Sequence, residues 1–187
     1  MAPRPRRGWP PDFDRSTIRD AAGLLVVYPV DGRAHIALTV RSDRVRHAGQ
    51  VSLPGGVVEP GETFEQTALR ESHEEIALAA TDVRLLGRLT PIEIPVSGFR
   101  LHPIVAALPR QPELYPADAE VERILDIPIG TLLAPSTVVW QTMTRGAVPL
   151  TVPAFAVSRA TIWGATAMVL AEFLFLLGWG GPEQGRS

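Results

Sequence analysis

The chain contains no cysteine among its 187 residues, and all 18 of its Lys+Arg positions are arginine. Without cysteine there are no disulfides, thiolate nucleophiles or cysteine-bound zinc sites, and we expect a protein of the reducing cytoplasm. Without lysine there is no Schiff-base chemistry and no Walker-type phosphate loop, which uses a lysine.

Strong net charge and long apolar runs are also lacking. The formal net charge of -2 predicts no general affinity for nucleic acid. The apolar stretch 165–179 is shorter than the roughly 20 residues that a bilayer requires, and it carries Glu172 near its middle. We therefore expect no membrane association and interpret this stretch as a largely buried helix, which can also line a homodimer interface.

Length and composition favour one domain, because 187 residues with 45% hydrophobic content can bury a sizeable core. The first residues are rich in arginine and proline and show no apolar run, so they predict no secretory signal. We divide the chain into a flexible arm at 1–18, a single domain at 19–180 and a flexible tail at 181–187.

Several segments have the composition of β-strands. Asp31-Gly32 is a hairpin signal between the first two of them. Pro149 and Pro153 lack the amide donors that a central strand needs, so the last segment is predicted to be an edge strand at best. The predicted strands are 21–28, 34–41, 83–89, 101–108 and 148–157.

The most informative segment is a glycine-rich loop that leads into a helix, from Gly56 to Leu78. Pro60-Gly61 is a turn pair, and Thr63 followed by Gln66 has the spacing of a capping box. Residues three and four apart are neighbours on a helix, so the surface turn that follows carries clustered negative charges that repel one another. The members of this cluster are Glu71, Glu74 and Glu75. Such an arrangement indicates a bound cation.

The spacing resembles the box of the Nudix family, G-x5-E-x7-R-E-U-x-E-E-x-G-U, where U is aliphatic. Ser72 departs from it at an aliphatic or small position, and Ala77 replaces the glycine near the helix end, where a left-handed cap is eased by glycine. No charged position is changed. The matching residues are Gly56, Glu62, Arg70, Glu71, Glu74, Glu75 and Leu78.

The resemblance implies an α/β/α sandwich around a mixed sheet and a metal-dependent diphosphate hydrolase. Oxygen ligands suit Mg2+ or Mn2+. The implied metal ligands are the Gly56 carbonyl, Glu71, Glu74 and Glu75. The implied catalytic residues are Glu71 and Glu74, with Arg70 orienting a carboxylate, and the identity of the general base is left open.

The residues before the box resemble the extra signature of the coenzyme A pyrophosphatase branch, approximately L-L-T-x-R-S-x3-R-x3-G-x3-F-P-G-G. The match departs at Ala37 and Leu53, and the gap between Arg46 and Gly49 is one residue shorter. The resemblance implies coenzyme A as substrate, whose 3'-phosphate and diphosphate suit a cationic clamp. The candidate substrate-binding residues are Arg41, Arg46, His47 and Gly55.

Other readings stay open. The substrate can be another nucleoside diphosphate derivative, such as ADP-ribose, a dinucleotide or an oxidised nucleoside triphosphate. A non-catalytic nucleotide-sensing module is a further alternative, although such modules usually lack the box glutamates. Glu120 or Glu122 can add a distant ligand or base, but an exposed loop acid is the favoured interpretation.

Overall fold

The fold is that of a computed structural model, which describes Trp9 and residues 12–44, 48–145 and 148–181, without the side chains of 143–150. The strands are β1 (Arg19–Val30), β2 (Arg33–Arg41), β3 (Val51–Ser52), β4 (Gly55–Val57), β5 (Arg84–Arg88), β6 (Ile92–Ile94), β7 (Phe99–Ala107), β8 (Val121–Pro128), β9 (Val138–Arg145), β10 (Val148–Val157) and β11 (Ala160–Ile162). The helices are α1 (Phe64–Ile76), α2 (Ile129–Leu133) and α3 (Gly164–Leu176).

The central sheet has eight strands and is mixed. Its main path runs β3-β2-β1-β7-β5, while β4 pairs with β1, β6 with β7 and β8 with β2. β1 and β7 are parallel from Arg19 opposite Phe99 to Val27 opposite Ala107, and the other pairs are antiparallel. The predicted mixed sheet is thereby confirmed.

Both faces of this sheet are covered, because strand side chains alternate between them. Leu24 and Val26 of β1 belong to the apolar cluster that includes Ala68 and Ile76 of α1. Leu25 points to the opposite face, in a second cluster with residues of α2, α3 and the three-stranded sheet β11-β10-β9. The layered α/β/α arrangement is as predicted, with the small sheet sharing the α3 layer.

The turn between β1 and β2 confirms the predicted hairpin. Asp31 and Gly32 have φ values of 48° and 75°, in the left-handed region that a two-residue hairpin turn of this kind requires. Beyond the turn, Val30 pairs with Arg33.

The edge-strand prediction for β10 is wrong for the strand as a whole, since β10 lies between β9 and β11. The two neighbours pair with different parts of it. Pro149 and Pro153 lie in the part whose described partner is β9, whereas β11 pairs with Phe155 and the two residues after it. The prolines are tolerated because their missing amides lie where the strand is paired on one side.

The apolar segment near the C-terminus forms α3, as predicted. Glu172 lies at the surface, where its carboxylate accepts hydrogen bonds from the Thr90 amide (3.0 Å) and hydroxyl (2.8 Å). Phe173 and Trp179 are buried within the domain, while Phe175 is 70% exposed. None of the helices within the described residues has the length and apolar character needed to cross a bilayer. The homodimer stays a prediction.

Part of the predicted N-terminal arm contacts the domain through Glu93 of β6. The Glu93 carboxylate accepts hydrogen bonds from the indole of Trp9 and from the Arg15 guanidinium at 2.8 and 3.0 Å. The domain boundaries themselves stay predictions.

Candidate functional site

Helix α1 begins at the predicted capping box and ends at Ala77. The Thr63 hydroxyl accepts from the Gln66 amide (3.2 Å), and the Gln66 side chain accepts from the Thr63 amide (2.8 Å), so the predicted capping box is present. Ala77 takes the left-handed conformation, with φ 57°, and its amide bonds to the His73 carbonyl. The family's glycine is thus replaced without loss of the left-handed cap.

Ser72, the other departure from the family pattern, is fully buried in α1. Its hydroxyl donates to the Ala68 carbonyl at 2.7 Å, so the polar atom has a partner inside the helix. The substitution therefore leaves no unsatisfied group in the core.

The glycines before α1 allow close packing of backbone against backbone and against a carboxylate. Gly55 pairs with Gly23 across β4 and β1, and a Cβ added at Gly55 would overlap the Ala22 carbonyl. A Cβ added at Gly56 would overlap the Glu71 carboxylate. Gly55 is required because the β1 backbone lies against it, and Gly56 is required because the Glu71 carboxylate lies against it.

Glu75 is buried, with 8% of its surface exposed, so its predicted position on a surface turn is wrong. It faces the glycine turn, where the Gly55 amide donates to its carboxylate at 3.2 Å. Burial raises the pKa of Glu75 to about 7, and the neighbouring Glu71 and Glu120 charges add to this effect. The Gly55 amide and the Arg41 charge act in the opposite direction. Glu75 is therefore a buried carboxylate that is poorly compensated at neutral pH.

Arg70 connects the loop to the helix carboxylates. Its guanidinium donates to Glu62 at 2.8 and 3.1 Å, to Glu71 at 2.9 Å and to Glu74 at 3.1 Å. The hydrogen bonds from Arg70 and from the Thr67 hydroxyl lower the pKa of Glu62 to about 2. Glu71 behaves differently, because burial raises its pKa even though Arg70 opposes the shift. The sequence predicted the contacts to Glu71 and Glu74 but assigned no role to Glu62.

Arg41 lies near Glu75 and pairs with Glu120. Its guanidinium is 3.3 Å from the Glu120 carboxylate, and both charges act on Glu75. Glu122, the second acidic residue considered in this segment, instead lies 3.6 Å from Arg123 and is exposed. Of the four substrate-binding residues predicted, Arg41 and Gly55 are brought to the site, while Arg46 and His47 lie outside the described residues.

The donor set suits a hard cation by its chemistry. Glu71 and Glu75 are carboxylates whose pKa values are raised by burial beside the glycine turn, and a cation would offset that cost. Glu74 is half exposed and directed to Arg70. Across the described ranges, no three His, Asp or Glu side chains converge in ion-binding geometry. The assignment of Glu71, Glu74, Glu75 and Gly56 as metal ligands therefore stays a prediction.

Known proteins share this fold. The Nudix domain of Shewanella oneidensis NrtR, solved with ADP ribose, superposes with a TM-score of 0.57 at 14% identity, covering 89% of this chain and 94% of that one. A Nudix hydrolase from M. smegmatis, RenU, gives 0.54 at 23% identity, covering 62% and 73%. At these identities the likeness concerns the fold, which is that of Nudix proteins.

Sequence comparison identifies the family. The NUDIX domain family profile matches residues 17–124. An uncharacterised Nudix hydrolase NudL from Yersinia enterocolitica is 38% identical over 137 residues, which is 72% of this chain and 70% of that protein. The NudL of Photorhabdus laumondii is 34% identical over 165 residues, or 87% of each chain. The chain belongs to the Nudix hydrolase family.

Proposed function

We propose that the chain is a divalent-metal-dependent diphosphate hydrolase that acts on coenzyme A or an acyl-coenzyme A. The products are 4'-phosphopantetheine, or its acyl form, and adenosine 3',5'-bisphosphate. The observation that supports this most strongly is the buried Glu75 carboxylate, which is coupled to Glu71 beside the glycine turn. Burying like charges together is costly unless a cation accompanies them.

In this proposal Glu71, Glu74, Glu75 and the Gly56 carbonyl hold Mg2+ or Mn2+. When bound, the cation lowers the pKa of a water and neutralises charge on the phosphoryl oxygens. Arg70 keeps Glu71 and Glu74 oriented through its hydrogen bonds to both. Glu71 or Glu74 serves as the general base and takes the proton of the attacking water.

The coenzyme A assignment rests on the arginines ahead of the box. Arg41 is close enough to Glu75 for its charge to act on that carboxylate, so a phosphate bound by Arg41 lies beside the proposed metal ligands. Arg46, His47 and Gly55 complete the proposed substrate contacts. An arginine suits this role because its guanidinium can pair with two phosphate oxygens at once. We also propose a cytoplasmic location. The cytoplasm contains coenzyme A, and a chain without cysteine fits a reducing compartment.

A turnover panel tests the proposal. The substrates are coenzyme A, acetyl-coenzyme A, 3'-dephospho-coenzyme A, ADP-ribose and a dinucleotide, each with Mg2+, with Mn2+ and with chelator. We expect coenzyme A or its acetyl form to give the highest kcat/KM, and chelator to abolish turnover. ADP-ribose is the competitor that the Shewanella domain suggests. Preference for ADP-ribose or the dinucleotide would replace the substrate assignment, and binding without any turnover would favour a sensing module.

A further inference from the structure

A β-bulge in β8, opposite the end of β2, lies next to the Glu75 end of the site. β2 and β8 pair regularly from His35 to Val40. Val40 is opposite Arg123 and Arg41 is opposite Val121, so Glu122 of β8 is the extra residue. Bulges redirect side chains and are frequent beside functional sites. The residue opposite this bulge is Arg41, whose side chain is 27% exposed.

The segment 115–120 is hydrogen-bonded to both helix α1 and the residue that follows β2. At the helix end, the Ala117 amide donates to the Glu75 carbonyl at 3.0 Å. At the strand end, the Ser42 amide donates to the Glu120 carbonyl at 2.8 Å, and the Ser42 hydroxyl donates to the Ala119 carbonyl at 2.7 Å. The segment thus ties the end of α1 to the end of β2.

Glu120 belongs to the connection at the strand end. Its amide donates to the Asp118 carboxylate at 2.6 Å, and its own carboxylate accepts from the Arg41 guanidinium at 3.3 Å. The backbone of Glu120 is therefore fixed on both sides, while its carboxylate is half exposed. An ion pair with a carboxylate on a fixed backbone restricts the long Arg41 side chain to fewer rotamers.

We propose that Glu120 is a positioning residue, which holds the Arg41 guanidinium at the Glu75 end of the site. Glu120 acts through Arg41 and does not touch the reacting atoms. The inference rests on the proposed function, since it assumes that Arg41 binds a substrate phosphate. It extends the site to a segment outside the glycine loop and helix motif.

The kinetic test combines Glu120→Gln with Arg41→Gln, and uses Glu122→Gln as the matched control two residues away. For coenzyme A we expect Glu120→Gln to lower kcat/KM about 5- to 20-fold, mainly through KM, because preorganisation of a binding group is lost. In the Arg41→Gln background the same change should cost less than about 2-fold. An equal loss in both backgrounds would mean that Glu120 acts on the reaction directly and would overturn the proposal. So would an equal loss in Glu122→Gln.

A second readout needs no substrate. The guanidinium protons of Arg41, assigned in NMR spectra by their loss in Arg41→Gln, should move to faster exchange and rotation in Glu120→Gln and stay unchanged in Glu122→Gln. Arg41 signals that ignore Glu120→Gln would overturn the positioning role whatever the turnover. If the signals respond but wild type hydrolyses no diphosphate, the proposed function fails and the phosphate-binding part of this inference fails with it.

Discussion

Glu62 and Glu75 stand at opposite ends of one motif and in opposite electrostatic environments. Glu62 is held by the Arg70 guanidinium and the Thr67 hydroxyl, which lower its pKa to about 2. Glu75 is buried with one backbone donor, and its pKa is raised to about 7. A carboxylate with full pairing has no need of a further cation, whereas one that is buried without such pairing does. The contrast supports the proposal that Glu62 fixes the loop and Glu75 binds the cation.

The largest expected effect is on the buried member of the pair. Glu75→Gln should lower turnover roughly 1,000-fold at saturating Mg2+, since a metal ligand stabilises transition-state charge by several kcal/mol. Glu65→Gln is the control, because Glu65 belongs to the same helix but pairs with Arg88. Near-normal hydrolysis by Glu75→Gln would remove Glu75 from the site.

Substrate selectivity is the next largest effect. Arg41→Gln should lower kcat/KM for coenzyme A about 10- to 150-fold more than for 3'-dephospho-coenzyme A, because a charge-assisted hydrogen bond to the 3'-phosphate is lost. Arg46→Gln is expected to act in the same way. The comparison is internal to each variant, so reduced stability cancels. Equal use of both substrates by wild type would rule out recognition of the 3'-phosphate.

Removing the Arg70 guanidinium, which pairs with Glu62, is expected to have an intermediate effect. Arg70→Gln leaves Glu62, Glu71 and Glu74 without their shared donor, and should lower turnover about 10- to 100-fold, as for partners of metal ligands in general. Arg88→Gln removes a similar arginine–glutamate pair away from the site and should change turnover less than about 2-fold. Similar losses in both variants would indicate a general effect on stability.

The sequence predicts those features of the fold and the site that depend on residues close together in the chain. Thr63 with Gln66 predicts the helix start, and Asp31-Gly32 predicts the hairpin, because each involves neighbours in the chain. The burial of Glu75 was missed because it depends on Gly55, which is 20 residues away. The contact between Glu120 and Arg41 was missed for the same reason, being 79 residues apart.

The strands show the same limit. β8 was not predicted as a strand, because its sequence alternates poorly and ends in Pro128. It forms a strand because β2 offers it a full row of partners from His35 to Arg41. The central position of β10 likewise depends on the short strand β11, which pairs with a part of β10 that has no proline. Pairing partners distant in sequence decide these cases.

The smallest expected effect is on stability without metal. With a folded pKa of about 7, protonated Glu75 contributes stability that is fully present below its unfolded pKa and is lost as pH rises through 7. The neutral side chain in Glu75→Gln does not lose stability in this way as the pH rises. In chelator, the variant should melt within about 2 °C of wild type at pH 5 and about 3–8 °C above it at pH 8. A variant that melts lower at pH 8 would show that the Glu75 charge is well compensated.

The most direct test of the central claim is a titration of the metal-free protein with Mn2+ at pH 7, with proton release recorded by a pH indicator. Because Glu75 titrates near pH 7, cation binding at this carboxylate should release about half a proton per site, and less at pH 8.5. Glu75→Gln should bind Mn2+ more weakly and release fewer protons than wild type. Equal binding and proton release by wild type and Glu75→Gln would contradict the account.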